Sequence, residues 1–386
     1  MSKSLMSKKI VGWDIGGAHL KAALLSNSGE VLHVLQLPCQ LWKGVDQLEK
    51  AINNTLQAFK IEPCEASHAV TMTGELVDLF QNRHEGVIAI STLATKLLGK
   101  DTLFYAAQDN DSHGFVVLER VSALMPYIAS TNWHASARVI AMHVNDALFI
   151  DIGSTTTDII AIEAGKLVDN GLSDASRMRA DMLVYTGVVR TPVMALAQKL
   201  SFEDVETNVA AEYFATMADV YRLTGELLPE HDMSDTADGK GKTELESARR
   251  LARMIGHDVE TKPIEAWKTL AKTCKTLQMN QISAAVAKHL KPNMLMIGAG
   301  AGSFLVQQIA HELNCAYKPI SMRVSRTNNQ LQLIYSAGMT LAVTGLPWSA
   351  LVQGHVNLNL KHDLEVCFPA FAVALLAKKQ LARQYA

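Results

Sequence analysis

At 386 residues the chain is long enough for two domains with sizeable cores, and a formal charge of −2 gives no electrostatic reason to expect nucleic acid or an anionic membrane as partner. Cys39, Cys64, Cys274, Cys315 and Cys367 show no CxxC pair and no Cys/His cluster, which excludes a zinc pattern and predicts reduced thiols in a cytoplasmic protein. Met1 to Lys9 lacks the apolar segment of a secretory signal, and no apolar run reaches the roughly 18–20 residues that span a bilayer.

In chain order, Ile10–Asp14 and Lys21–Ser26 predict a hairpin through Gly16-Gly17, with a third strand at Val31–Leu37. Val45, Leu48, Ile52, Leu56 and Phe59 have helical spacing. Ala69–Met72 reads as a buried strand, followed by a helix over Leu76–Arg83, and Thr102–Ala106 as a further strand. The run Val139–Ile152 reads as core strand and Phe368–Ala377 as core helix. From Ala147 the pattern restarts, with strands at Leu148–Asp151, Thr157–Ile162 and Lys166–Asn170. Helices are then expected over Ala210–Thr224, Thr243–Ile255, Ile264–Leu290 and Ser303–Leu313, with a mobile surface loop from His231 to Lys242. This mixed order argues for an α/β protein of two domains, each with a mixed sheet. The expected boundaries are 8–145 and 146–386, the second domain holding a helical insertion at about 191–290.

Two strand ends repeat one pattern. Val11-Gly12-Trp13-Asp14-Ile15-Gly16-Gly17-Ala18-His19-Leu20-Lys21 and Phe149-Ile150-Asp151-Ile152-Gly153-Ser154-Thr155-Thr156-Thr157-Asp158 each run from an apolar strand through an aspartate and a glycine into a second strand. The repetition implies a duplicated domain that holds a ligand between its copies. In the first copy Gly16 and Gly17 free backbone N–H groups to face an anion, Lys21 supplies a cation, and Asp14 suits a hard cation such as Mg²⁺. Read alone, it could be a tight turn. In the second, Ser154, Thr155, Thr156 and Thr157 can donate to phosphate oxygens, bracketed by Asp151 and Asp158. A threonine-rich strand also reflects β-propensity, which explains neither aspartate. A third element, Met294 to Ser303, leads from a strand through Gly298, Gly300 and Gly302 into a helix, where a nucleotide could approach closely.

These elements, in this order, resemble the superfamily of sugar kinases, actin and heat-shock ATPases, with Asp14–Lys21 as first phosphate loop, Asp151–Asp158 as second and Gly298–Gly302 as adenosine loop. The resemblance implies two ribonuclease H-like domains of actin/hexokinase type with an interdomain cleft, the second domain enlarged by helices. Thr71-Met72-Thr73-Gly74-Glu75-Leu76, Gly12 to Ala18 and Tyr185-Thr186-Gly187-Val188-Val189-Arg190-Thr191-Pro192 narrow it to the hydantoinase/oxoprolinase-related branch. Thr236-Ala237-Asp238-Gly239 and Arg250-Leu251-Ala252-Arg253 point, within that branch, to proteins linked to tetrahydromethanopterin one-carbon metabolism. The activity so implied is a step of methanofuran biosynthesis: an aminomethylfurfuryl diphosphate condenses with the phenol of a tyramine- or tyrosine-type acceptor, releasing diphosphate.

On that resemblance the diphosphate is held by Gly16, Gly17, His19, Gly153, Ser154, Thr155, Thr156, Arg250 and Arg253. Lys21 and Mg²⁺, the latter at Asp14 and Asp151, neutralise the leaving group. The base that activates the phenol is Glu75, Asp14 or Asp151. Structural alternatives stand beside these roles: a helix N-terminal carboxylate for Glu75, a solvated basic face for Arg250 and Arg253, an exposed turn for His19. Asp109 and Asp111 are candidates for the substrate ammonium. Two other functions remain open, an ATP-dependent kinase or oxoprolinase-like ATPase using Gly298–Gly302, and a non-enzymatic nucleotide-responsive clamp. The oligomeric state is open as well.

Overall fold

The computed structural model describes residues 8–107, 114–168, 171–320, 322–327, 330–335, 339–343 and 364–384. Asp109 and Asp111 lie outside them. Chain contacts divide the protein into two units, 1–146 with 162–177 and 320–386, and 147–161 with 178–319.

The first unit is built on a sheet of order β3-β2-β1-β4-β5-β6. β1 (Lys9–Ile15), β2 (His19–Leu25) and β3 (Val31–Pro38) form the expected antiparallel run, and β4 (Ala66–Met72) lies parallel to β1. β5 (Leu103–Ala106) and β6 (Gly114–Val116) complete the edge. β1 is buried on both faces beyond Lys9, so its aspartate stands at the end of an otherwise apolar strand. α1 (Val45–Phe59) buries Leu48, Ile52, Leu56 and Phe59 and stops at Lys60, which takes the left-handed conformation.

The helix expected over Leu76–Arg83 begins instead where that segment ends. α2 (Arg83–Leu98) starts at Arg83 because the Asn82 side chain accepts from the Glu85 N–H at 3.0 Å, while Gly74–Leu76 makes only a 3-10 turn. Short turns α3 (Leu118–Val121) and α4 (Met125–Ile128) lead to α5 (Asn132–Ala141). The run expected as one core strand from Val139 is therefore helix up to Ala141 and strand from Ala147.

The second unit repeats the strand order as β10-β8-β7-β13-β14. It comprises β7 (Ala147–Ile152), β8 (Thr157–Glu163), β10 (Leu183–Val184), β13 (Leu295–Ala299) and β14 (Tyr317–Pro319). β9 (Lys166–Leu167) pairs with the far end of β8, and α6 (Asp174–Arg179) follows it. In both units the second hairpin strand lies outside the first, whose other side takes a later strand in parallel. That is the ribonuclease H-like arrangement, present twice.

The insertion opens with a hairpin, β11 (Lys199–Phe202) and β12 (Val205–Asn208), and continues through α7 (Met217–Thr224), α8 (Glu244–Arg253) and α9 (Ile264–His289). α7 starts seven residues later than Ala210 because Thr216 and Asp219 close a capping box there. α10 (Ser303–Glu312) follows β13.

A three-stranded antiparallel sheet, β15 (Met322–Thr327), β16 (Gln330–Tyr335) and β17 (Met339–Val343), precedes the last helix, α11 (Phe368–Gln384). The expected boundary put α11 in the second domain, but it packs against β1, β2, β4 and α5 of the first unit. Its run Ala370 to Ala377 is buried on every side, and a Cβ on Gly12 of β1 would overlap the Ala370 carbonyl. Among the described residues no helix is long and apolar enough to cross a membrane.

Candidate active site

The first loop closes by a single backbone bond, Gly16 N–H to the His19 carbonyl at 3.0 Å. Its carbonyls are tied back: Leu41 N–H donates to Gly17 O at 3.0 Å and Cys39 N–H to Ala18 O at 2.8 Å. The N–H groups of Gly17 and Ala18 keep no acceptor among the described residues, so the loop turns donors outward while its acceptors are occupied. Gly74 is pressed on the loop, since a Cβ there would stand 3.1 Å from Gly16 C and O. Thr73 N–H donates to Ile15 O at 2.9 Å. Asp14 is 2% exposed, and Lys21 Nζ lies 3.6 Å from its Oδ2. His19, one alternative for which was an exposed turn, is buried at the start of β2.

The second loop repeats the device with other residues. Gly153 N–H donates to Thr156 O at 2.9 Å. Val188 N–H takes Gly153 O at 3.1 Å, while Val189 and Arg190 N–H both take Ser154 O, at 3.1 and 2.8 Å. The N–H groups of Ser154, Thr155 and Thr156 keep no acceptor among the described residues. Gly187 is mandatory in this strap, because a Cβ would come within 2.5 Å of Thr155 N and 2.6 Å of Gly153 O. Gln278 of α9 anchors it, donating to Thr186 Oγ1 at 2.7 Å and Gly187 O at 2.9 Å while accepting from Tyr221 OH at 2.5 Å. The Thr157 hydroxyl, a proposed phosphate donor, is turned inward to Thr186 O at 2.7 Å.

Gly298, Gly300 and Gly302 are accounted for by protein packing. A Cβ on Gly300 would overlap Asp151 Oδ1 and Ile152 O, and one on Gly302 would stand 2.5 Å from Ile152 Cγ2. On Gly298 it would crowd Tyr317 and Val306 at 3.0 Å. These glycines need no nucleotide to explain them.

Arg250 has a different task from the one expected. It is fully buried, bonding Asp219 Oδ1 at 2.8 Å through Nε and Asp238 Oδ1 at 3.0 Å through Nη1. A guanidinium committed to two carboxylates is a structural tie, neither a diphosphate clamp nor part of a solvated face. Arg222 similarly holds Asp232 at 2.6 and 2.8 Å. The segment from His231 to Lys242, expected as a mobile loop, is thus pinned at Asp232 and Asp238. Arg253 is half-buried on the same helix as Arg250.

The hydantoinase/oxoprolinase family profile matches residues 67–342. The chain belongs to that family. It is 32% identical over 256 residues to a protein of Methanocaldococcus jannaschii, covering 66% of this chain and 74% of the relative. It is 39% identical over 228 residues to one of Methanococcus vannielii, covering 56% and 96%. Both relatives are named (4-{4-[2-(gamma-L-glutamylamino)ethyl]phenoxymethyl}furan-2-yl)methanamine synthase. Among solved structures, the ADPNP-bound activator of a 2-hydroxyisocaproyl-CoA dehydratase from Clostridium difficile aligns over 97% of both chains, with TM-score 0.44 and 11% identity. That likeness is too distant to carry an argument.

Within this family member, Glu75 occupies the most unusual position of the candidates. It is 1% exposed, Oε1 accepts from Ser130 Oγ at 2.7 Å, and Oε2 has no partner among the described residues. Burial pushes its pKa up from 4.5 to about 7, only partly offset by the Ser130 bond and the Arg83 charge. Glu75 fits because Gly86 of α2 lies against its backbone, a Cβ there standing 2.5 Å from Glu75 O. Ser130 holds a left-handed conformation at φ 53° and also reaches Asp174 Oδ2 at 3.5 Å, where Arg83 forms a 2.5 Å ion pair. Two residues on, Asn132 Nδ2 stands 3.4 and 3.5 Å from the two oxygens of Asp14. The stretch from Ser130 to Asn132 therefore meets both Glu75 and Asp14.

Sequence reasoning missed Ser130, Asn132, Gly86 and Gln278. Only the two glycine-adjacent motifs, Thr71–Leu76 and Tyr185–Pro192, carried a signal, and they are the covers of the two loops. Asp14 and Asp151 are single carboxylates at strand ends, a donor set that suits Mg²⁺ when phosphate oxygens and water complete its shell. Among the described residues no group of three or more His, Cys, Asp and Glu side chains could hold a metal by itself.

Proposed function

We propose that this protein joins a furfuryl carbon to a phenol oxygen in the biosynthesis of a methanofuran-type cofactor. The donor is (5-aminomethylfuran-3-yl)methyl diphosphate and the acceptor a tyramine- or tyrosine-type phenol. The C–O bond to diphosphate breaks, the phenol oxygen bonds the same carbon, the phenolic proton leaves on a base, and the products are an aryl ether and diphosphate. The relatives' name describes such an ether, a phenoxymethyl furan carrying an aminomethyl group.

The observation that carries the reading is Glu75, a buried carboxylate with one oxygen unbonded among the described residues, next in sequence to the glycine that covers the first phosphate-type loop. A phenol has an unperturbed pKa of about 10 and is a weak nucleophile at neutral pH. A carboxylate shifted to about 7 is ionised just above neutrality and basic enough to take the proton as attack proceeds. Asp14 is engaged by the Lys21 ammonium at 3.6 Å, which suits it to charge pairing and polar binding instead. Outward N–H groups of Gly17 and Ala18, with Lys21, bind departing phosphate oxygens, and in the second unit Ser154, Thr155 and Thr156 offer N–H and hydroxyl donors of the kind that suit phosphate. Mg²⁺, bound at Asp14 or Asp151 with phosphate oxygens, would supply further charge neutralisation.

The test is mass-spectrometric product analysis with the furfuryl diphosphate and a panel of tyrosine, tyramine and γ-glutamyltyramine, with and without ATP and Mg²⁺. Ether and diphosphate formed without ATP are expected. Release of ADP with no ether formed in any arm would overturn the proposal in favour of the ATPase alternative.

A further inference from the structure

The 3-10 turn Gly74–Leu76 that carries Glu75 is closed by a long bond, Val77 N–H to Gly74 O at 3.4 Å. The orientation of the carboxyl therefore depends on what its oxygens meet. Among the described residues the one side chain that bonds it is Ser130, donating from Oγ to Oε1 at 2.7 Å. Ser130 is 5% exposed and links α4 to α5. Its φ of 53° is a left-handed conformation that glycine or asparagine adopts with less strain. Both ends of that link are held without its side chain. Ala129 N–H donates to Met125 O at 3.0 Å, and Thr131 Oγ1 to Ile128 O at 2.9 Å. What serine adds here is the hydroxyl.

That hydroxyl has one proton and two carboxylates within reach, Glu75 Oε1 at 2.7 Å and Asp174 Oδ2 at 3.5 Å. Arg83, the first residue of α2, settles the choice. Its Nη2 holds the same Oδ2 at 2.5 Å, so Asp174 is already charge-paired and the Ser130 proton is left to Glu75. The bond acts on basicity as well as on geometry. Burial raises the Glu75 pKa to about 7. Of the influences that pull it back, the Ser130 bond is the largest, ahead of the residue's own backbone and of Arg83, while Asp174 adds a smaller rise. With Oε1 pinned, Oε2 is the oxygen left to take a proton.

We propose that Ser130 is a positioning residue for Glu75: its hydroxyl, left available by the Arg83–Asp174 pair, fixes Oε1 so that Oε2 faces the acceptor phenol and receives its proton. This rests on Glu75 as the base that activates the phenol.

The test compares Ser130→Ala, which removes the hydroxyl, with Ser130→Gly, which removes it and also relaxes the left-handed backbone. Folding is checked by circular dichroism and melting, and the glycine variant should melt no lower than the alanine one. In ether formation both should lower kcat at pH 7 by about tenfold or more, the worth of a charge-assisted hydrogen bond, with KM for the furfuryl diphosphate unchanged. Losing a bond that favours the charged form moves the ascending limb of kcat to higher pH. Asp174→Asn, which removes a negative charge and leaves Arg83 in place, moves it to lower pH. A merely structural role would depress the rate alike at every pH. The same shifts should appear without substrate in an infrared pH titration of the Glu75 carboxyl, its band assigned by its absence from Glu75→Gln. Both serine variants keeping the parent's limb and titration would overturn the proposal. An infrared shift in a protein whose parent forms no ether would confirm the bond and overturn the proposed function instead.

Discussion

The two loops solve one problem with different chemistry. Each closes with a glycine N–H on the carbonyl three residues ahead, at 3.0 Å for Gly16 and 2.9 Å for Gly153. Each has its carbonyls captured by a strap and its remaining N–H groups left over. Beyond that they diverge. The first is glycine and alanine with a lysine beside its aspartate, covered by a segment that ends in a half-satisfied buried glutamate. The second supplies hydroxyls, and its strap is fixed by the buried amide of Gln278. The left-over N–H groups are thus a property of the repeated fold, whereas the proton transfer we propose falls to the first unit alone.

Glu75→Gln breaks that asymmetry with the largest effect, because nothing in the second loop replaces it. Turnover should fall by about 10²–10⁴-fold with diphosphate binding retained, measured by ether formation and by titration with the donor. Stability should move the other way. A carboxyl raised from 4.5 to about 7 on folding ionises first in the unfolded chain, so its contribution is lost as pH rises through that window, by about 3 kcal/mol. At pH 8 the glutamine variant should melt above the parent, and the gap should close below about pH 4. The parent's rate should rise with pH through about 7, a limb the variant lacks.

Arg250→Met separates a structural tie from a ligand clamp. Leaving Asp219 and Asp238 without their buried guanidinium should cost about 3–5 kcal/mol, read by denaturant unfolding. A normal melting point with a raised KM would restore the clamp.

Gly187→Ala and Gly17→Ala compare the loops directly. The first puts a Cβ on backbone atoms at 2.5–2.6 Å, the second meets only Val77 Cγ1 at 2.7 Å, the end of a side chain. The first should cost about 1–3 kcal/mol and most of the donor affinity, the second much less. Equal losses would show that the straps do not differ in rigidity.

The smallest effect lies under the first loop. His68 accepts from Trp13 Nε1 at 3.2 Å and bonds Pro63 O at 2.9 Å through Nε2, so it is held neutral, and burial lowers its pKa from 6.5 to about 4. The unfolded chain protonates first as pH falls, so stability present above 6.5 declines towards 4. His68→Asn should flatten that decline in a pH series of melting curves.

The duplicated strand–aspartate–glycine pattern, the strand order's hairpins and most helix faces were readable because they rest on local rules: period, turn residues and caps. The second glycine-bearing loop and the Glu75 candidate followed from residue type and neighbours. Misreadings arose where a distant partner decided. Arg250 and Arg253 share an amphipathic surface spacing, and only the meeting of α7 with α8 tells that Arg250 faces Asp219. The packing of Gly300 and Gly302 on β7, and of Gly298 on Tyr317 and Val306, was likewise not legible from their spacing.

The sequence by itself determined most strands of the two sheets, β6, β10 and β14 excepted, with their glycine-bearing ends and the carboxylates that terminate them, because alternation and chain-neighbour turns are written within a few residues. Tertiary structure alone decided that α11 returns to cover β1, that Gln278 locks the second loop's strap, and that Glu75 loses its water while keeping one bond to Ser130. Each of these depends on groups between 55 and more than 350 residues apart, and neither burial nor an unsatisfied oxygen exists until those groups are packed together.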